Sequence, residues 1–381
     1  MASARFTFIG TLDANTKIDS NGYFLREGKT KERKGKNGET ISGNPYASIN
    51  LQVIQEKNNR GYVECFGSVS KTINTLDTNN SKTEINWDDR LDEDVVKDVA
   101  NFKKTIIKNG DEKKEFISSY DGVKYIAEHI DELKNKRVVV TGQRKKNIYN
   151  GKISDRFEFS SIRTVDDEDV VNKLIVNMDL YYNKDSFDLG DWKDERKIVI
   201  NGWTEEYVSE TRENRFLDQQ VILDCSKLDF ENEKHINQLR FRLKMLGCDY
   251  EDGKIVVKVK TKKLMKMGII TTFINGQEQI DFDESMLTDL QKEALELGLK
   301  TLDDFRPSGN IYGQRIIVYK LRDFNMHEDS PYKDGAIDSE LTQDDFDEKY
   351  YAPVEKISEE DVLKDEPNNS KDEDDEDDLF G

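Results

Sequence analysis

No run of about 18 apolar residues occurs in the 381-residue chain, so no membrane-spanning helix is expected. The first residues, MASARFTFIG, lack a basic region followed by a long apolar stretch, so no secretory leader is expected either. Cysteine is scarce. Cys65, Cys225 and Cys248 are odd in number and show no CxxC spacing, a pattern that predicts reduced, packed thiols in a cytoplasmic protein. The histidines, His129, His235 and His327, stand apart from the cysteines and from one another, which argues against structural zinc. Catalytic motifs are missing too: there is no phosphate-binding GxxxxGKS or GxxxxGKT, no GxSxG and no HExxH. Acidic runs near the end lack the fixed geometry that metal catalysis demands. A non-enzymatic protein without cofactor or metal is therefore expected.

Charge, by contrast, is plentiful. Charged residues make up 36% of the chain and the formal net charge is −20. Its spread is uneven, because residues 338–381 hold nineteen Asp and Glu against four Lys, which leaves a net of only −5 for residues 1–337. The body is near balance, so overall acidity does not argue against a nucleic-acid partner. Beyond Pro331 apolar residues are too few and like charge too dense to bury a core. Residues 331–381 are accordingly expected to form a disordered acidic tail. The remaining length suits two domains.

Ahead of the tail the pattern is mostly β. RFTFIGTLDA (5–14), YASINLQVIQ (46–55) and GYVECFGSV (61–69) are strand candidates. Residues from about 71 to 118 form a polar insertion, with a short helix at LDEDVVKDVANF and a β-ribbon turning at Asn109-Gly110. In SYDGVKYIAEHIDELKNK the period changes. Val123, Ile126, Ala127, Ile130 and Leu133 recur at helical spacing, with Asp121 as the expected N-cap. RVVVTGQRKK (137–146) and RFEFSSIRTV (156–165) return to strand. Three strands, a helix and two strands are the order of an OB-fold, a five-stranded barrel that binds oligonucleotides. Residues 1–165 are thus expected to be an OB-like nucleic-acid-binding domain, and 166–196, opening on DDEDVVNK, a linker and connecting segment. A looser copy, OB-like or α+β, follows over 197–330, with strands at 197–208, 215–225, 254–266 and 314–324 and helices at 235–246 and 287–305. The expected fold class is mainly β with some α: tandem OB-like five-stranded barrels followed by the disordered acidic tail.

At RFTFIG, YVECFGS, DGVKYIAEHI, RVVVTGQRKK and the end DEDDEDDLFG, the sequence resembles the single-stranded-DNA-binding proteins of bacteria and their viruses. The resemblance covers the first domain and the tail well and the middle third loosely. It implies a protein that coats single-stranded DNA in DNA replication or recombination, in the cytoplasm of a bacterial cell, with an acidic C-terminal tail that recruits partner proteins. Gly381 departs from the family pattern, in which the chain usually ends on the aromatic residue.

Single-strand binding without sequence preference needs a cationic groove along the phosphates and flat side chains on which bases stack. The candidate cations are Arg26, Lys29, Lys31, Arg33, Lys34 and Lys36 in the first long loop, Arg144, Lys145 and Lys146, and a basic stripe of Lys258, Lys260, Lys262 and Lys263. Tyr46, Tyr62, Phe66, Phe157 and Phe159 are the candidate stacking platforms. For Phe157 and Phe159, alternation alone does not separate barrel core from outer face. Trp192, by a polar linker-like stretch, suits either a stacking platform or an interdomain plug, with the plug slightly favoured. Asp377, Asp378, Leu379 and Phe380 form the expected partner contact, an apolar anchor flanked by acid. RNA is a second candidate ligand, since contact with a 2′-OH is a local detail. The competing function is a non-enzymatic interaction or DNA-mimic factor acting through the acidic tail. A mimic would carry its acid on a folded surface, whereas here the folded part is balanced.

Overall fold

The computed structural model describes residues 4–13, 24–34, 40–56, 59–149, 152–166, 170–208, 211–259, 264–280, 287–305 and 311–351. Strand accounts for 52% and helix for 21%, so the class is mainly β. The first part contains β1 (Arg5–Asp13), β2 (Leu25–Lys29), β3 (Pro45–Glu56), β4 (Asn59–Ser68), α1 (Ser119–Glu128), β5 (Arg137–Tyr149) and β6 (Lys152–Thr164). β1 pairs with β3 and β3 with β4. β4 meets β6 in parallel at Glu64 and Glu158, β6 pairs with β5, and β5 returns to β1. The five strands close a circuit. β2 lies outside it as a flap, hydrogen-bonded to the start of β3 with Gly28 opposite Tyr46.

A second circuit repeats this connectivity with β7 (Lys173–Tyr182), β8 (Lys197–Val208), β9 (Glu213–Asp224), α2 (Glu233–Met245), β10 (Met265–Ile280), α3 (Asp289–Glu296) and β11 (Ile311–Phe324). β7 meets β8 at Tyr181 and Trp203, β8 pairs with β9, and β9 meets β11 in parallel at Ile222 and Lys320. β11 pairs with β10, which returns to β7. In both circuits a helix, α1 or α2, joins the third strand to the fourth. β1 also runs antiparallel to β7, from Arg5 opposite Asn177 to Ile9 opposite Lys173, so one sheet passes through both circuits. A last helix, α4 (Gln343–Lys349), follows β11. None of the described helices is long and apolar enough to cross a membrane.

Alternation decides which residues go inside. On β3, Ala47, Ile49, Leu51 and Val53 are buried while Tyr46, Ser48, Asn50 and Gln52 between them are only half-buried, as the two-residue period of a strand requires. Burial of Ile49, Leu51 and Val53 contributes about 1.5–3 kcal/mol each. Phe6, Phe8 and Phe157 fill the first circuit, and Phe273 from β10 packs on Phe157 at 4.9 Å and Phe8 at 6.0 Å. The core is therefore continuous across the two circuits. α1 buries Gly122, Val123 and Ile126. Its N-cap is Ser118, which accepts from the Tyr120 amide at 3.2 Å. The expected cap, Asp121, is instead engaged by Arg90 at 2.8 Å. Gly67 permits the helix to seat directly on β4, since a Cβ there would lie 2.0 Å from the Tyr120 nitrogen.

The insertion is built from two hairpins, Thr72–Leu76 with Lys82–Asn86 and Thr105–Asn109 with Glu112–Phe116, around a short helix, Glu93–Asp98. Ile85, Val99 and Ile117 form its own small core. Its second hairpin turns at Gly110, whose φ of +62° suits glycine, and adds in parallel to the edge of β6.

Three segments differ from the sequence expectation. Residues 166–196 are more than a linker, because they contain β7, the first strand of the second circuit. The strand expected over 254–266 is instead the end of a small hairpin, Cys248–Glu251 with Lys254–Val257, followed by the start of β10. The acidic tail does not begin at 331. Tyr332 and Phe346 are buried, and α4 lies on β8 and β9. The expectation of disorder for 352–381 falls outside the described residues, as do the tip residues Asp377, Asp378, Leu379 and Phe380.

Candidate nucleic-acid interface

The outward faces of β3, β4 and β6 and the overhanging flap enclose a groove of about 710 Å³. Tyr46, Ser48 and Asn50 come from β3, and Tyr62, Glu64 and Phe66 from β4, each set spaced by two residues so that it shares one face. Tyr62 and Phe66 are 41% and 45% exposed, far more than an aromatic ring needs for packing alone. The Tyr46 and Phe66 rings lie 5.4 Å apart at 31°, a tilted pair at the open end. Arg26, Lys29 and Lys31 come from β2 and the turn after it, and place three cations on the rim. The flap is tied down by the Lys124 ammonium, which donates to Glu27 at 2.9 Å, and by the Thr30 amide, which donates to the Asn44 carbonyl at 2.8 Å.

The groove is lined by seven of the expected site residues: Arg26, Lys29, Lys31, Tyr46, Tyr62 and Phe66, with Phe157 touching it only from beneath. Arg33 and Lys34 form a short ladder with Thr40–Ile41 beyond the flap. Lys36, Lys260, Lys262 and Lys263 lie outside the described residues.

Four of the expected residues have side chains that are mostly covered. Phe157 and Phe159 are each only 4% exposed and belong to the core, because their parity on β6 points inward. Arg144 is fully buried at the junction of the circuits, with Nη1 2.7 Å from Glu206 Oε1 on β8 and 3.7 Å from Asp155 on β6. Lys146 is buried beside it, 3.3 Å from Asp155. Burial disfavours the Arg144 charge, but Glu206, Tyr319 and Asp155 outweigh it and hold the guanidinium charged. Burial pushes the Lys146 ammonium below its ordinary value. Through these pairs the two residues join β5 to β6 and β8. Lys145, between them, faces outward and bonds Glu158. Lys258 follows the small hairpin rather than standing in a stripe, and pairs with Glu251 at 3.3 Å and Asp249 at 3.6 Å.

Trp192 is buried against Phe230 and Tyr250 within the second circuit. Burial pushes the Cys65, Cys225 and Cys248 thiols up to about 12, 11 and 12, which leaves them protonated and unreactive near neutral pH. Ser48, Asn50, Glu64 and Arg156 are among the groove residues that sequence reasoning missed. The two-residue period contained the signal, since Glu64 lies midway between Tyr62 and Phe66.

No family model matches the chain, and no curated protein matches it. Among solved structures the chain is similar to the wild-type single-stranded DNA binding protein from Thermus aquaticus, with 12% identity, 72% of this chain and 85% of that one covered, and a TM-score of 0.24.

Proposed function

We propose that the chain binds single-stranded DNA in the groove of the first circuit, and that both circuits are OB-like barrels. In this reading it is a non-enzymatic accessory of DNA replication or recombination, of the kind bacterial viruses encode, and residues 352–381 recruit partner proteins. One observation carries the proposal: exposed Tyr62 and Phe66 lie on the floor of the same groove whose rim bears Arg26, Lys29 and Lys31. Flat rings at the floor stack bases for about 1–3 kcal/mol each, while rim cations hold the backbone. A duplex hides its bases and retains only the second of these contacts. The topology supports the barrel assignment, because a closed five-strand circuit with one parallel seam and a helix before its fourth strand occurs twice.

The test is titration of a labelled single strand and of the matching duplex across a salt series. The single strand should bind more tightly, with affinity falling steeply as salt rises. Replacing Arg26, Lys29 and Lys31 together by Ala should flatten the log–log slope by about 2, at roughly 0.7 per phosphate contact, and leave Tm unchanged. Equal affinity for duplex and single strand, or no binding of either at low salt, rejects the function.

A further inference from the structure

The groove floor carries charges that backbone binding does not require. Glu64 stands between Tyr62 and Phe66 on β4, directly opposite Asn50 of β3. Its carboxylate meets the guanidinium of Arg156 on β6. Arg156 also lies 3.3 Å from Glu158, which in turn bonds Lys145. Of these groups Glu64 and Arg156 line the groove, together with Asp155, so two acids and one base lie beneath the rim cations Arg26, Lys29 and Lys31. A polyanion placed here runs its phosphates along the rim and turns its bases to the floor. Two residues along a strand span about 7 Å, so a base stacked on Tyr62 or Phe66 brings its edge to Glu64.

We propose that Glu64, held in place by Arg156, selects bases that carry an exocyclic amino group, so that the groove prefers cytosine to uracil or thymine. This rests on the single-strand reading above. An ionised carboxylate only accepts hydrogen bonds. Cytosine presents an N4 amino donor to it, whereas thymine and uracil present a carbonyl oxygen at the same ring position. Two acceptors then face each other in a partly enclosed site, where Glu64 is 28% exposed, and an acceptor stripped of water without a donor is penalised. Arg156 pairs with Glu64, and its guanidinium has further donors for the pyrimidine O2.

Oligo-dC and oligo-dU of about 16 nucleotides, enough to fill one such groove, match in base size and differ only along one edge, at C4 and at the adjacent N3, where uracil donates and cytosine accepts. The wild-type protein should bind oligo-dC about tenfold more tightly at neutral pH, the discrimination expected of one well-placed hydrogen bond. Glu64→Gln, whose amide both donates and accepts, should bring the ratio of the two affinities near one. Equal affinity of the wild type for the two oligomers overturns the inference while leaving single-strand binding intact, as does a Glu64→Gln protein that keeps the preference. Failure of the wild type to bind either oligomer overturns the function and this inference together.

Discussion

At the scale of single residues, Phe66 and Phe157 make the sharpest pair. Both are aromatic residues on strands of the first circuit, but Phe66 is 45% exposed in the groove and Phe157 is 4% exposed against Phe6, Phe8 and Phe273. Phe157→Ala is expected to cost about 3–5 kcal/mol of stability by opening a cavity in the shared core. Phe66→Ala should change stability little and weaken single-strand binding by about 1–3 kcal/mol. Urea unfolding beside an oligonucleotide titration separates the two, and equal losses of stability would place both rings in the core. Parity was legible from the chain in each case. Which parity faces inward was not, because that depends on the partner strands that close the circuit. A run such as Arg144-Lys145-Lys146 did hold a readable warning: three consecutive strand residues cannot share a face. Its outer two turn inward to Glu206 and Asp155, and only Lys145 reaches the surface.

At the scale of elements, the first circuit was readable because β3 and β4 alternate buried and more exposed residues along most of their length. β7 lacks that cue. It lies between β1 and β10, and Leu174, Ile175, Val176, Met178, Leu180, Tyr181 and Tyr182 are all buried. A strand covered on both faces shows no alternation, and the acidic DDEDVVNK just before it favours a linker reading. The parallel seam of the second circuit supports a prediction of its own. Lys320 of β11 donates to Asp224 of β9 at 2.7 Å, and the Ser226 hydroxyl and amide donate to the same carboxylate at 2.6 and 3.1 Å. Partial burial works against the Asp224 charge, but these donors outweigh it and hold the pKa at about 2, below the ordinary 3.8. A depressed carboxylate stabilises the fold above its unfolded pKa, and that contribution is lost as pH falls through the folded value. Asp224→Asn should therefore lower Tm at pH 7, and thermal melts should show the gap to wild type closing between about pH 4 and 2. A gap that persists unchanged at pH 2 would mean that Asp224 acts through packing rather than through its charge.

At the scale of the whole molecule, two circuits of one connectivity carry unlike surfaces. Counted from the parallel seam, Tyr62, Glu64 and Phe66 of β4 correspond to Gln220, Ile222 and Asp224 of β9. The second circuit therefore has no ring at any of these three positions. It takes up part of the acidic C-terminal region instead. Phe346 of α4 packs on Trp203 at 4.6 Å and Phe216 at 5.1 Å, and the Tyr350 hydroxyl donates to Asp218 at 3.1 Å. This divides the acidic region into a folded strap and residues 352–381, which hold thirteen acids against three lysines. A tethered polyanion acts at high effective concentration on a cationic rim in the same molecule, most strongly at low salt, where screening is weakest. Removing 352–381 should raise single-strand affinity at low salt, with the gain fading as salt rises, and leave Tm unchanged. Removing 338–381 should add a loss of stability, because it also empties the Phe346 site, at about 3–5 kcal/mol for a buried phenylalanine. Oligonucleotide titrations and melts of the two truncated proteins distinguish these effects. Affinity that stays the same across the salt series after removal of 352–381 would show that the acidic segment does not compete for the rim. Matching melts for the two proteins would show that the α4 strap contributes nothing to the second circuit.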